Sequence, residues 1–116
     1  MDSRVQTARN KFGKMMCAAA VLTTYGDLAG ITEEEAFEMA RPMSGGRMGT
    51  CGAVLAAQEI LKRTNPDKTQ EVEKLFTDKN GTSLCRELKG TTYHRSCPGC
   101  VEDASLIIEQ LLCYNH

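Results

Sequence analysis

Apolar residues three and four apart recur along almost the whole chain, and β-branched residues nowhere alternate for more than a few positions. The first pattern belongs to amphipathic helices, and the lack of the second leaves no candidate strand. With no Trp, three Phe and three Tyr, the core must be built from Ala, Leu, Ile, Val and Met, which suits closely packed helices. A chain of 116 residues can bury one core. The expected fold is all-α: a single domain over residues 1–116, arranged as a bundle of five to six helices.

The helices are placed by periodicity and by their ends. Val5, Ala8, Phe12, Met15, Ala19 and Leu22 form one apolar stripe, which predicts a long first helix from Ser3 to about Tyr25, ended by Gly26. Gly13, Cys17, Ala20, Val21 and Thr24 make a second, small-residue face, so this helix is expected to be central and buried on two sides. Thr32 and Glu35 form a capping box for a short helix, with Ile31 and Ala36 as its hydrophobic staple, Phe37 and Ala40 on its apolar side and Pro42 as its stop. A third helix is expected to open at Thr50 or Cys51 and end before Asn65-Pro66. Asp67 and Gln70 predict the start of a fourth, stopped at Asn80-Gly81. A one- to two-turn helix around Cys85 follows, and the last starts at Cys97-Pro98 and runs to Leu112.

Six cysteines are the chemically informative residues. They are about 5% of the chain, below the roughly 8–10% of disulfide-stapled secreted miniproteins. The opening residues MDSRVQTARN lack the basic-then-apolar pattern of a signal peptide, so a cytoplasmic location is expected, where such cysteines are more often redox-active or metal-binding than crosslinked. Cys51, Cys85, Cys97 and Cys100 each sit at a predicted helix start, where free backbone N–H groups and the helix dipole favour thiolate. Cys97-Pro98-Gly99-Cys100 is a C-x-x-C at a helix N-terminus, suited to dithiol or metal chemistry, although the strand that precedes it in thioredoxin-like folds is missing. Cys51 follows a loop with three glycines, Met43 to Thr50, with Arg47 close in sequence. This predicts an activated thiolate there, reacting ahead of Cys17 and Cys113. The loop lacks the Lys-Ser/Thr pair of a P-loop. Cys17 and Cys100 can also be read as small apolar fillers, and His94 as an exposed loop residue.

Taken together, Gly13-x-x-x-Cys17-Ala18, the Gly45-Gly46 loop running into Thr50-Cys51-Gly52-Ala53-Val54, Cys85-Arg-Glu-Leu88 and Cys97-x-x-x-Val101-x-Asp103-Ala104 resemble the small redox-active family named for its C_GCAxxG_C_C cysteine pattern. The resemblance spans nearly the whole chain. It implies an all-helical cytoplasmic protein of bacteria or archaea, and places the family's four cysteines on Cys17, Cys51, Cys85 and Cys97. The chain departs from the pattern twice: Ala56 stands where a glycine closes the family's central motif, and Cys100 where an aliphatic residue is usual. Cys113 matches nothing in the pattern.

The charge balance, 14 basic against 15 acidic residues, gives no electrostatic case for nucleic acid. No apolar run approaches the roughly 20 residues of a membrane span. Two programmes fit dispersed cysteines that converge in a bundle. The first is thiol–disulfide exchange or electron transfer by Cys17, Cys51, Cys85, Cys97 and Cys100 with a thiol redox partner or small molecule. The alternative is a non-catalytic module in which Cys17, Cys51, Cys85 and Cys97 hold zinc or an iron–sulfur cluster. Metal sites more often show two local C-x-x-C pairs, and this chain has one, which favours the redox reading.

Overall fold

A computed structural model describes residues 4–11, 15–43, 51–80 and 97–112, with Cys97 and Pro98 described in backbone only. Among these residues there are six α-helices and no strand: α1 (Arg4–Lys11), α2 (Cys17–Ala29), α3 (Glu33–Met43), α4 (Gly52–Thr64), α5 (Thr69–Asn80) and α6 (Cys97–Leu111), with a 3₁₀ turn at Pro66–Lys68 before α5. The all-helical expectation holds. The short helix expected around Cys85 lies outside the described residues, as do the glycine loop with Arg47, His94 and Cys113.

The long first helix is instead two. Met15 N–H still donates to Lys11 O at 3.2 Å, but Met16 then turns extended, with φ −70° and ψ 163°, and α2 starts afresh at Cys17. Had the helix been continuous, Arg4 would lie about 30 Å from Thr24 at 1.5 Å per residue. Its guanidinium instead donates to Thr24 O at 2.7 Å and grips both carboxylate oxygens of Asp27 at 2.8 and 2.9 Å. So α1 folds back against the C-terminal half of α2, and Lys11 Nζ donates to Thr23 Oγ1 at 3.1 Å. The apolar stripe hides the break because Met15 and Ala19 keep helical spacing whether or not the backbone between them is helical.

Gly26 does not end α2 either. The helix continues to Ala29 and closes at Gly30, whose left-handed φ of 71° suits glycine. Ile31 N–H donates to Gly26 O at 2.8 Å, the wider-spanning 6→1 bond of a Schellman closure. Gly26 matters for space: a Cβ there would come within 3.0 Å of Ile31 O. The capping box of α3 is formed as expected, with Thr32 N–H donating to Glu35 Oε1 at 3.0 Å and Glu35 N–H to Thr32 Oγ1 at 3.2 Å. Ile31 and Ala36, the staple pair, are buried, but Phe37 is exposed, and α3 carries Pro42 in its last turn instead of stopping before it. Asp67 sits inside the 3₁₀ turn, which opens one residue earlier with Pro66 at its first position.

As expected, α2 is the central element and packs against α1, α3, α4 and α6. Its Ala18, Ala20, Val21, Leu22 and Tyr25 are fully buried, and so are Ala53, Val54, Ala56 and Ala57 of α4. Methyl-sized side chains on both helices let their backbones approach closely. Phe76 of α5, Ile60 and Leu61 of α4, and Ile107 and Ile108 of α6 fill the remaining core, with no exposure above 1%. Each such side chain contributes about 1.5–3 kcal/mol through burial.

Candidate functional site

The break between α1 and α2 moves Cys17 from mid-helix to the first residue of α2. Cys51 is the N-cap of α4, and Cys100 lies in the first turn of α6. Three helix starts therefore deliver three thiols to one place. Cys51 lies within side-chain hydrogen-bonding reach of both Cys100 and Cys17. None of the three is in a disulfide; Cys51 and Cys100 are buried at 5% and 3% exposure, while Cys17 is half-buried.

Electrostatics at Cys51 run opposite to the sequence expectation. Its thiol is pushed up to about 12 from an ordinary 9.0, first by a hydrogen bond with Cys100, partly offset by one with Cys17, then by burial. Hydrogen bonding to the neutral form raises an acid, and bonding to the charged form lowers it. Cys51 makes no side-chain capping bond, and the pull of the Ala53 N–H toward thiolate is the smallest contribution. The expected activated, accessible Cys51 thiolate is thus a buried thiol. Desolvation and thiol contacts outweigh the helix dipole, whose worth at a terminus is about 0.3–1 kcal/mol. Cys17 is also the more open of the two, against the expectation that Cys51 reacts first.

Gly52 makes the assembly possible. A Cβ added there would lie 2.8 Å from Cys17 Sγ and 2.9 Å from the Met43 carbonyl oxygen. The end of α3, the start of α2 and the start of α4 therefore meet across a bare Cα. Cys17 can rotate away but the Met43 backbone cannot, so Gly52→Ala should destabilise by about 1–3 kcal/mol and displace Cys17. Urea denaturation checks the first effect, and a changed Cys17 alkylation rate checks the second. Unchanged values of both would contradict this packing.

Of the five cysteines expected to act, Cys17, Cys51 and Cys100 are brought together. Cys97 opens α6 with its side chain undescribed, and Cys85 lies outside the described residues. Among the described residues no group of three or more His, Cys, Asp or Glu side chains stands at metal-holding geometry. No described helix is long and apolar enough to cross a membrane.

Sequence reading missed a second buried polar contact. Tyr25 Oη donates to Glu109 Oε2 at 2.6 Å between α2 and α6, with both residues buried. Burial first, and then the Glu109 hydrogen bond, push the Tyr25 hydroxyl far above its ordinary range, and the Arg4 guanidinium lies 5.9 Å from its ring centre. Asp103, part of the family-like motif, is also buried and accepts from Asn80 Nδ2 at 3.2 Å, tying α6 to α5. Glu109 reads as a surface charge in sequence, and only its position on the Ile108 side of α6 hints otherwise.

The family model described as "Putative redox-active protein (C_GCAxxG_C_C)" matches residues 15–111, and the chain belongs to this family. No curated protein and no solved structure matches it. The matched span contains the three clustered thiols, Gly52, Cys85 and Cys97.

Proposed function

We propose that this chain is a redox protein that cycles between thiols and an internal disulfide, with Cys17, Cys51 and Cys100 as the working sulfurs. The observation that carries this reading is the contact of Cys51 with two thiols from two other helices. A buried structural cysteine needs no second thiol beside it, whereas exchange needs one within bonding reach. The family's description as redox-active supports it. Cys85 and Cys97, the family's remaining cysteines in this chain, belong to the same redox set under this reading. A thiol or disulfide partner follows from the chemistry, and a reducing cytoplasm is the compartment in which free thiols of this kind persist.

Mild oxidation of the reduced protein, followed by alkylation and peptide mass mapping, should reveal an intramolecular disulfide involving Cys51 that a dithiol reductant fully reverses. A protein that forms no reversible internal disulfide would end this reading. The metal alternative, with Cys17, Cys51, Cys85 and Cys97 holding zinc or an iron–sulfur cluster, is decided by elemental analysis and a visible spectrum of anaerobically purified protein. A stoichiometric metal would replace thiol exchange as the function.

A further inference from the structure

We infer that the three thiols form a directional relay, in which Cys17 exchanges with an external low-molecular-weight disulfide and the oxidation is passed inward to a buried Cys51–Cys100 disulfide. This rests on the thiol-exchange reading and goes beyond it by giving each sulfur a place in an order. Three observations set that order. Cys17 is the most exposed of the three residues and opens α2 beside the exposed Met16, so an external disulfide meets this cysteine first. Cys51 adjoins Gly52, whose bare Cα lies against Cys17 Sγ, and it is in hydrogen-bonding reach of both other thiols. Cys100 is 3% exposed and accepts no direct approach from a bulky disulfide.

The chemistry balances in three displacements. Cys17 thiolate attacks one sulfur of the external disulfide, giving a mixed disulfide and releasing one thiolate. Cys51 sulfur attacks the Cys17 sulfur, forming Cys17–Cys51 and releasing the second external thiolate, which takes the Cys51 proton. Cys100 sulfur then attacks Cys51, forming Cys51–Cys100, and the freed Cys17 takes the Cys100 proton. Two protein thiols are oxidised to one disulfide, and one external disulfide is reduced to two thiols. Run backwards, an external thiol recovers the reduced protein through Cys17. The partly closed site slows attack from outside, while the second and third steps are intramolecular and gain from proximity.

Anaerobic wild-type protein mixed with excess glutathione disulfide and quenched at intervals with N-ethylmaleimide tests the order without any variant. Peptide mass mapping should show a glutathione adduct on Cys17 first, then Cys17–Cys51, and finally Cys51–Cys100 with two glutathiones released per chain. Cys100→Ser should stop at Cys17–Cys51, and Cys51→Ser at the adduct on Cys17. Cys17→Ser should lose Cys51 and Cys100 thiols on the order of tenfold more slowly, since exchange depends on access to the attacked and attacking sulfurs. Wild-type-like oxidation of Cys17→Ser would overturn the relay while leaving the exchange function intact. So would a terminal Cys97–Cys100 or Cys17–Cys51 disulfide in the wild type. Absence of any internal disulfide in the wild type would instead defeat the underlying exchange reading.

Discussion

Raising the pH from 9 to 11 should strip the reduced protein of roughly 3–4 kcal/mol of stability, a large part of what a domain this size holds. Two buried acids cause this. Cys51 has its folded-state value raised from 9.0 to about 12 by Cys100 and by burial. Tyr25 is raised above its ordinary 10.0 by burial and by its bond to Glu109. For each, the neutral form is preferred in the fold, so its contribution is complete below the unfolded value. It is lost progressively as the pH climbs from there toward the folded value, at about 1.4 kcal/mol per pH unit per group. Cys51 begins to act near pH 9 and Tyr25 near pH 10. Urea midpoints measured from pH 7 to 11 under reducing conditions should be level to about pH 9 and then fall. In Cys51→Ala the fall should start about one unit later. Identical profiles for the two proteins between pH 9 and 10 would show that Cys51 is not held neutral by the fold.

What is legible in the sequence is what local chemistry decides. The start of α3, the end of α4 and the register of α6 follow from local chemistry: a Thr32–Glu35 box, a Pro66 stop, and a stripe from Val101 to Leu111. Each is decided within a few residues, so sequence suffices. The break before Cys17 is not local. It exists because Arg4 and Lys11 find partners at Thr24, Asp27 and Thr23 once α1 folds back, and those residues are far away in sequence.

Helix-start placement of Cys51 and Cys100 was readable, and the gathering of both with Cys17 was not. The sign of the Cys51 shift is hidden from the sequence for the same reason. A helix N-terminus is visible in sequence, while the sulfurs of α2 and α6 that surround it are supplied by tertiary packing. Gly52 illustrates the boundary. Sequence marks it as a small residue after a cysteine, but its requirement is set by the Met43 carbonyl at the end of another helix. Tyr25 and Glu109 are a further case, because a charge on an apolar helix face reveals its buried partner only when the faces are brought together.

Closing the Cys51–Cys100 disulfide should make the folded protein more stable by about 4 kcal/mol, because it ties a loop of about 50 residues in the unfolded chain. For a domain of this size that is a rise in Tm of about 10–20 °C. The gain requires that α4 and α6 need not move apart, and contact between their first turns meets that condition. The same energy appears in the redox chemistry. If the disulfide stabilises the fold by about 4 kcal/mol, the fold lowers the disulfide's reduction potential by about 90 mV relative to the unfolded chain, at 30 mV per 1.4 kcal/mol. Calorimetry of the mapped oxidised form against the reduced form gives the first value. Equilibration with glutathione buffers, native and in denaturant, gives the second. The two must agree, since they are sides of one thermodynamic cycle. An oxidised protein no more stable than the reduced one would mean that the crosslink strains the helix starts it joins, and that the relay does not end in a stable store of oxidation.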